Sequence, residues 1–302
     1  MQKKRTKARY LTAAFILLSV AFFGCLNVQA KAKYTYLPQV KKNYIRDSGT
    51  SEKYELWGSD SFKRNKYGMV TKQTGKYGKH KSVCTYKYTF KNGLIKEVLQ
   101  KNDGKFGARY VYTYNKKNRV TSEIQYTSKK KIACKTLYSY RNGKLKTIKY
   151  YNGTKLANTR TYTWSGNKIS GYKEVYRSGK NGDVVKYTYK SGKISKATRE
   201  NSSAKETFVF TGGGRLKKWT DKNKDDGYTY GFVHTYKTNK NGCVTQRTDK
   251  GTCEGWLDQK INYSSFKKYQ KPKGDPVVNN YYMLRDSYEE VVQGKSHDFL
   301  CG

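Results

Sequence analysis

Aromatic and aliphatic positions return along this chain in one recurring phrase. Two aromatics separated by one residue precede a short polar turn with Gly or Asn, and Lys or Arg and an aliphatic follow the turn. Residues 138–145 (YSYRNGKL) are the clearest copy. The other copies are 86–94, 110–120, 162–169 and 187–194, with looser ones at 62–70, Phe208 and Tyr236 and a degenerate last one at Phe266. The last aromatics of successive phrases lie 21 to 26 residues apart, which is about the length of two strands and two turns.

Each phrase has the pattern of a β-hairpin. The alternating aromatics at 86, 88 and 90 point to one face of a strand, while Lys and Thr fill the other face. Asn-Gly at 92–93 and 142–143 favours a type I′ turn, and Asn-Gly at 152–153 and 181–182 predicts the second turn that leads to the next unit. The aliphatics of the return strand are three residues apart, so we expect a β-bulge there.

The predicted fold class is therefore all-β, an array of antiparallel hairpin repeats that forms a meander sheet. One face is Tyr-rich and the other is Lys/Thr-rich. A flat sheet would leave the aromatic face in water, so the sheet should curl or close on itself. No 3.6-residue apolar stripe is sustained through the repeats, and helix is disfavoured there.

The phrase resembles the YD-repeat (RHS-like) family over roughly residues 55–270. Members of that family carry Tyr-x-Tyr, a turn with Gly and an aliphatic at a similar period, and the resemblance implies hairpins wound into a spiralling sheet or shell. The Asp that names the family follows none of these tyrosines. Its place is taken by Lys91, Asn115, Arg141, Ser165 and Lys190.

Four segments are predicted along the chain. Residues 1–30 have a basic leader, an apolar run and a small-residue cleavage site, which is the layout of a signal peptide. Residues 31–56 are a basic N-terminal lead-in or cap, 57–270 the hairpin repeat domain, and 271–302 a C-terminal cap with a short helix. The alternatives for the first segment are a membrane anchor and a lipoprotein attached through Cys25. No second long apolar run follows, so we expect a secreted or wall-associated mature chain without a transmembrane span.

The charge of the chain is the next informative feature. The net charge is +41, and removing residues 1–30, with five basic and no acidic side chains, would leave +36. Lys far outnumbers Arg and offers diffuse charge rather than bidentate readout. The composition favours anionic polysaccharides or wall polymers as partners, with non-specific binding of extracellular nucleic acid as a second class. The alternative is that the charge only maintains solubility.

Binding residues are predicted on the lysine face and the aromatic strands. The basic candidates are Lys87, Lys91, Arg141, Lys144, Lys190 and Lys193, and the aromatic candidates are Tyr88, Tyr112, Tyr140, Trp164 and Tyr189. Aromatics that alternate with lysines can stack on sugars or bases while the lysines neutralise charge. The alternative is that the tyrosines are simply the core of the sheet.

The cysteines predict one disulfide and no metal site. Cys243 and Cys253 bracket a turn and could pair within one hairpin after export. Cys84 and Cys134 hold the same phase in two units about four strands apart, which is too far for a bond, and Cys301 is available for pairing between chains. No spacing of Cys and His supports zinc.

No catalytic motif, metal or cofactor site is recognisable, so the prediction is a non-enzymatic protein. His80, His234 and His297 are scattered along the sequence, and each is more typical of a surface or turn residue than of a general base. Two alternatives stay open: a lyase that acts on acidic glycans, and a partner-binding shell or scaffold.

Overall fold

The structure is a computed structural model, and it describes residues 34–47, 53–128, 130–253 and 257–270. These residues form twenty β-strands and no helix. None of them belongs to a segment with the length and hydropathy of a membrane-spanning helix. The signal peptide predicted for 1–30 and the cap predicted for 271–302 lie outside the described residues.

The strands follow one another with short connections. They are β1 (Tyr34–Leu37), β2 (Val40–Asp47), β3 (Glu55–Arg64), β4 (Val70–Tyr77), β5 (His80–Lys91), β6 (Leu94–Asn102), β7 (Lys105–Tyr114), β8 (Val120–Tyr126), β9 (Ile132–Arg141), β10 (Lys144–Asn152), β11 (Lys155–Ser165), β12 (Lys168–Tyr176), β13 (Asn181–Lys190), β14 (Lys193–Glu200), β15 (Ala204–Phe210), β16 (Leu216–Asn223), β17 (Thr229–Thr238), β18 (Val244–Gly251), β19 (Leu257–Ser264) and β20 (Lys267–Gln270).

Strands β2 to β19 form one closed antiparallel barrel of eighteen strands in sequence order. Closure is made by β19 and β2, which pair from Ser264↔Val40 to Leu257↔Asp47. The predicted meander is thus confirmed, and it closes fully, so the barrel has no free strand edge. Val40–Asp47, which falls in the predicted lead-in, is a barrel strand paired on both sides.

The hairpins share one register defect. In the β9–β10 hairpin, Tyr140 pairs with Leu145 and Ser139 with Thr147, so Lys146 is the extra residue of a bulge. The same shift occurs directly after the first aliphatic of the return strand in the other hairpins of this set, β3–β4 through β17–β18. The bulge expected from the aliphatic spacing is confirmed, and it recurs once per repeat.

The predicted type I′ turns are also present. Asn92 and Gly93 have φ of 53° and 80°, and Asn142 and Gly143 have φ of 50° and 74°. Each pair is the two-residue loop of its hairpin. Asn and Gly occupy these positions because both adopt left-handed backbone at low cost.

The turn predicted at 181–182 is wrong. Both residues belong to strand β13, and the connection lies earlier, at 177–180, where Gly179 has a φ of 81°. Gly182 is glycine for another reason. A Cβ there would lie 2.7 Å from a carboxylate oxygen of Glu174, so the missing side chain makes room for a buried acid.

One face of the sheet is buried and the other is exposed, as the pattern predicted. Tyr138, Ile148, Tyr162 and Tyr172 are at most 5% exposed and belong to a core that runs from β3 to β16. Lys149 and Lys173, on the opposite face, are exposed. Among the described residues, no element packs on the outside of the barrel strands, so we infer that the buried face is the interior. The alternative that the tyrosines form the core of the sheet is therefore confirmed for these residues.

Strands β1 and β20 leave the barrel and pair with each other from Tyr34↔Gln270 to Leu37↔Lys267. Leu37 is fully buried in a second core with Val244, Ile261, Tyr263 and Tyr269. The backbone N–H of Gln270 donates to the Lys66 carbonyl in the β3–β4 turn, 3.2 Å away. The ribbon therefore packs at the end of the barrel that carries the phrase turns, called the upper end below.

Candidate functional site

Eight turns meet at the upper end because every second connection of an antiparallel meander lies on the same side. We call them the upper rim. They are residues 65–69, 92–93, 115–119, 142–143, 166–167, 191–192, 211–215 and 239–243 with their flanking residues. No acidic side chain occurs in any of them. The four acidic side chains classed as exposed among the described residues, Glu55, Asp103, Asp225 and Asp226, all lie at the lower end.

Basic side chains of the upper rim form two tiers. The outer tier is exposed and consists of Lys66, Lys91, Lys116, Lys117, Arg141, Lys190 and Lys240. The inner tier is half-buried and directly precedes the aliphatic of each phrase: Arg119, Lys144, Lys168, Lys193 and Arg215. The structure thus gathers five of the six predicted basic residues on one rim. Lys87 is separate, on the outer face of β5 opposite Leu99.

The aromatic residues of the upper rim connect each hairpin to the one before it. Tyr114, Tyr140 and Tyr189 donate their hydroxyls to the carbonyls of Ile95, Val120 and Ile169 at 2.7–2.8 Å. The Trp164 indole N–H donates to the Leu145 carbonyl at 2.8 Å. Tyr88 and Tyr236 lie two residues before the equivalent position in their hairpins, and their hydroxyls donate to the carbonyls of Val70 and Leu216. A ladder of ring-to-carbonyl bonds therefore links these hairpins at the upper end.

Inner-tier cations lie over the rings of this ladder. Arg119 sits 5.5 Å from the Tyr140 ring centroid, Lys144 5.7 Å from Trp164, Lys168 5.1 Å from Tyr189 and Arg215 5.9 Å from Tyr236. Arg119, Lys144 and Arg215 also donate to the carbonyls of Gly143, Gly166 and Gly242 in the next turn. We call such a cation a clamp, because it joins its own hairpin to the next.

The aromatic residues predicted to bind a ligand make contacts within the barrel instead. Tyr140, Trp164 and Tyr189 carry a clamp on the ring and a bond from the polar atom. Tyr112 is 3% exposed on the inner face. Its burial, and then the Glu123 carboxylate, raise the pKa of the Tyr112 phenol well above its ordinary value.

The lower half of the inner face carries charges that the sequence analysis missed. We call the following residues the charged belt: Arg160, Glu174, Asp183, Arg199, Glu206, His234, Arg247 and Asp249. Arg160 pairs with Glu174 at 3.0 Å, Arg199 with Glu206, and Arg247 with Asp249 at 2.7 Å. Glu174, Glu206 and Asp249 are buried, and the Asp183 side chain is 16% exposed. The spacing of the belt residues from the aromatic residues could have identified them in the sequence. Arg160, for example, lies two residues before Tyr162 and four before Trp164, so all three side chains share one face of the strand.

His234 is a buried residue and not the surface residue expected. Its Nδ1 lies 2.7 Å from Asp249 Oδ1, and its Nε2 is buried with no hydrogen-bond partner in the described part of the chain. Burial alone would raise the pKa of Asp249, but the Arg247 guanidinium and the His234 hydrogen bond outweigh burial and lower it. His80 is exposed beside the β4–β5 turn, and His297 lies outside the described residues.

The structure does not join the two cysteines predicted as a disulfide. Cys243 and Cys253 are both free thiols and flank opposite ends of β18. An eight-residue strand spans about 26 Å, whereas a disulfide needs Cα atoms about 4.4–6.8 Å apart. Cys84 and Cys134 are free as well, and burial raises the pKa of both thiols. No cluster of His, Cys, Asp and Glu suited to a metal ion occurs within 34–47, 53–128, 130–253 and 257–270.

Comparisons with known proteins give distant likenesses. No family model matches the chain, and no curated protein does. A porin-like protein from Bacteroides uniformis is 13% identical, with 74% of this chain and 95% of that chain covered and a TM-score of 0.39. TcdB2-TccC3 without its hypervariable C-terminal region is 12% identical over 68% of this chain, with a TM-score of 0.34, and this chain spans 12% of it.

The Photorhabdus luminescens Tc holotoxin pore is 11% identical over 65% of this chain and 14% of that chain, with a TM-score of 0.26. Likenesses at these scores assign neither a family nor a function. The architecture is an all-β array of hairpin repeats closed into a barrel.

Proposed function

We propose that this protein is a secreted or cell-surface, non-enzymatic repeat protein that binds anionic polymers through its upper rim. The observation that carries the proposal is the composition of the eight rim turns, which present basic side chains and no acidic ones. Wall polymers and acidic glycans are the favoured ligands, and extracellular DNA is bound without sequence preference.

Charge sorting around the barrel supports the choice of the rim. Five of the six buried acids, Asp60, Glu123, Glu174, Glu206 and Asp249, are on the inner face, and the exposed acids are at the lower end. The positive potential of the upper end is therefore not neutralised locally, and such a surface attracts polyanions from a distance.

The spacing of the rim suits a polymer rather than a single small anion. Neighbouring strands lie about 4.8 Å apart, so successive rim turns, which are two strands apart, recur at about 10 Å. A flexible chain with repeated negative groups can contact several turns at once, and such contacts add up.

Charge rather than stacking is the proposed mode of recognition. The rings of Tyr140, Trp164 and Tyr189 are engaged by clamps and by bonds to the backbone. Proteins that hold single-stranded nucleic acid use free aromatic faces for the bases. This leaves the backbone charge as the common element of the ligands, and it favours acidic glycans over nucleic acid.

The test compares two variants with equal loss of charge. The rim variant carries Lys91→Gln, Arg141→Gln, Lys190→Gln and Lys240→Gln, and the control variant carries Lys149→Gln, Lys173→Gln, Lys218→Gln and Lys250→Gln on the outer strand faces. Retention on immobilised heparin, teichoic acid and single-stranded DNA is measured against salt. The rim variant should elute at clearly lower salt than the control, because local charge and not net charge holds the polymer.

Equal elution of the two variants would show that net charge alone is responsible. Retention of the native protein that does not change between low and high salt would remove the proposal altogether, since exposed ion pairs are screened by salt.

A second candidate function is a shell that holds a partner, in line with the resemblance to YD-repeat proteins. Full closure of eighteen strands favours it, because closure creates an enclosed inner face. Native mass spectrometry of complexes captured from culture supernatant is the test. A partner of defined mass that stays bound in high salt would favour the shell over the polymer-binding rim.

A further inference from the structure

We propose that Lys190 and Lys193, at the turn between β13 and β14, form the primary anion subsite of the upper rim. The subsite takes one oxoanion group of a polymer: a sulfate, a carboxylate or a phosphodiester. This inference rests on the proposed function, and it identifies which part of the rim holds the ligand most tightly.

Lys193 is the exception among the inner-tier cations. Arg119, Lys144, Lys168 and Arg215 each lie over the ring of the next hairpin. Lys193 occupies the equivalent position before Ile194, yet within the described residues it has no ring contact, hydrogen bond or ion pair. The residue is half-buried, and its ammonium group is available to a ligand.

The reason lies in the following hairpin. The ring residue of β15 is Phe210, which has no polar atom, so no ring donates to the Ile194 carbonyl. Phe210 follows Ile194 by 16 residues, whereas the other ladder rings follow their carbonyl by 18 to 20. The shorter unit does not bring a ring and a turn carbonyl to Lys193 as the other hairpins do for their cations.

Two like charges face each other at this turn. Lys190 pairs directly with Lys193 across Ser191 and Gly192, and directly opposed like charges are destabilising. Arg141 and Lys144 have the same arrangement, but there Lys144 is a clamp on Trp164 and donates to the Gly166 carbonyl. The opposed pairs Lys63↔Lys72 and Lys76↔Lys81 lie within the strands, outside the turns of the upper rim. Among those turns, Lys190 and Lys193 are the opposed pair in which both cations lack a partner in the described part of the chain. An anion between them would relieve the repulsion.

Access to this subsite is open on one side. The neighbouring rim turn contains Gly212, Gly213 and Gly214. A Cβ at Gly212 would meet nothing within 4 Å, and one at Gly213 would meet only the Thr211 hydroxyl at 3.6 Å. Absence of side chains allows a ligand to approach the backbone closely. A charged group on a bulky polymer can therefore reach Lys193.

The experiment compares Lys193→Gln with Lys168→Gln, which removes a clamp of the same chemistry one hairpin earlier. Binding of a heparin hexasaccharide, an oligomer of glycerol phosphate and an oligothymidylate of similar charge is measured by calorimetry at two salt concentrations. Thermal unfolding of each variant is measured with and without inorganic sulfate. Lys190→Gln serves as a second disruption of the subsite.

Lys193→Gln should weaken binding of the best anionic oligomer by about tenfold, as expected for loss of a charge-assisted contact. Its thermal midpoint should stay unchanged or rise, because a repulsion is removed. Lys168→Gln should lower the thermal midpoint and change binding less. Inorganic sulfate should raise the thermal midpoint of the native protein more than it raises that of the Lys193→Gln variant.

Two results would overturn the subsite. One is equal loss of affinity in the two variants. The other is a drop in the thermal midpoint of Lys193→Gln as large as that of Lys168→Gln, which would make Lys193 a clamp. Tightest binding of the oligothymidylate, weakened in Lys193→Gln, would support the subsite with a phosphodiester as its preferred oxoanion. If the native protein binds none of the oligomers, the proposed function fails, whereas unchanged affinity in Lys193→Gln with a binding native protein rejects the subsite alone.

Discussion

The upper and lower halves of the inner face hold the barrel together by different means. In the upper half, rings donate to carbonyls of the preceding hairpin and clamps cover the rings, and this arrangement recurs from hairpin to hairpin. In the lower half, individual ion pairs such as Arg160–Glu174 and Arg247–Asp249 replace the repeat. The difference shows why the repeat phrase has its length: it contains the parts that one hairpin needs to attach to the next.

The largest expected effect is alkaline unfolding, which acts on the ring-rich face. Burial, with a contribution from Cys84, raises the pKa of Tyr86 to about 12, and burial raises that of Tyr236 to about 12. A phenol whose folded pKa exceeds its unfolded value contributes stability below about pH 10, and that stability is lost as pH rises toward the folded pKa. Because many buried tyrosines act together, we expect cooperative unfolding above about pH 10.

Absorbance of tyrosinate at 295 nm and circular dichroism should change together in that titration. Gradual ionisation of all tyrosines near pH 10, with the sheet signal intact, would show that the rings are in contact with solvent and would remove the distinction between the two faces.

Breaking one belt pair is the next largest effect. Arg160→Met leaves the Glu174 carboxylate buried without its partner, which typically costs about 3–5 kcal/mol. The free energy of unfolding in urea measures the loss. Arg160→Met combined with Glu174→Leu should recover most of the stability, because no uncompensated charge is then buried. A double variant as unstable as the single one would mean that the pair contributes through packing alone.

A single rung of the ladder should have a smaller effect. Tyr140→Phe removes the hydroxyl that donates to the Val120 carbonyl, and an unsatisfied buried group costs about 1–3 kcal/mol. Tyr151→Phe is the matched control, because its hydroxyl makes no hydrogen bond within the described residues. Chemical denaturation of both variants should separate them by at least about 1 kcal/mol, and equal midpoints would contradict a role for the ladder in stability.

The smallest effect is expected for a charge pair outside the belt. Glu200 accepts from Lys224 at 2.9 Å, but nearly half of its side chain is exposed. Exposed pairs contribute about 0–1 kcal/mol, so Glu200→Gln should change the urea midpoint only slightly. A loss comparable with that of Arg160→Met would show that burial does not distinguish the belt from the surface.

The sequence predicted the upper half better than the lower half for a physical reason. The upper half is encoded by local patterns: alternating aromatic residues, Asn-Gly turns and aliphatic residues three positions apart. These patterns predicted the hairpins, the bulges and the two faces of the sheet. Charged belt residues are partners across strands, such as Arg160 and Glu174, so their pairing appears only once the register is known. The turn at 181–182 was misplaced because Gly182 lies within a strand, where a side chain would collide with Glu174.

The candidate site was predicted in part. Lys91, Arg141, Lys144, Lys190 and Lys193 were identified as basic residues of the turns, and the meander brings them to one end. The sequence could not show that Lys144 is a clamp and Lys193 is not, because this depends on whether the next hairpin supplies a ring. Closure by β2 was also missed, since Val40–Asp47 carries one aromatic, Tyr44, and no repeat phrase.

Pairing of β19 with β2 has a consequence for the order of folding. All other barrel pairings join neighbours in sequence and can form early, since their loops are short. The last pairing joins residues more than 200 positions apart, so the barrel cannot close until the chain is complete as far as Ser264. Until then, two strand edges are open to other chains, and a truncation before Leu257 would leave them open permanently.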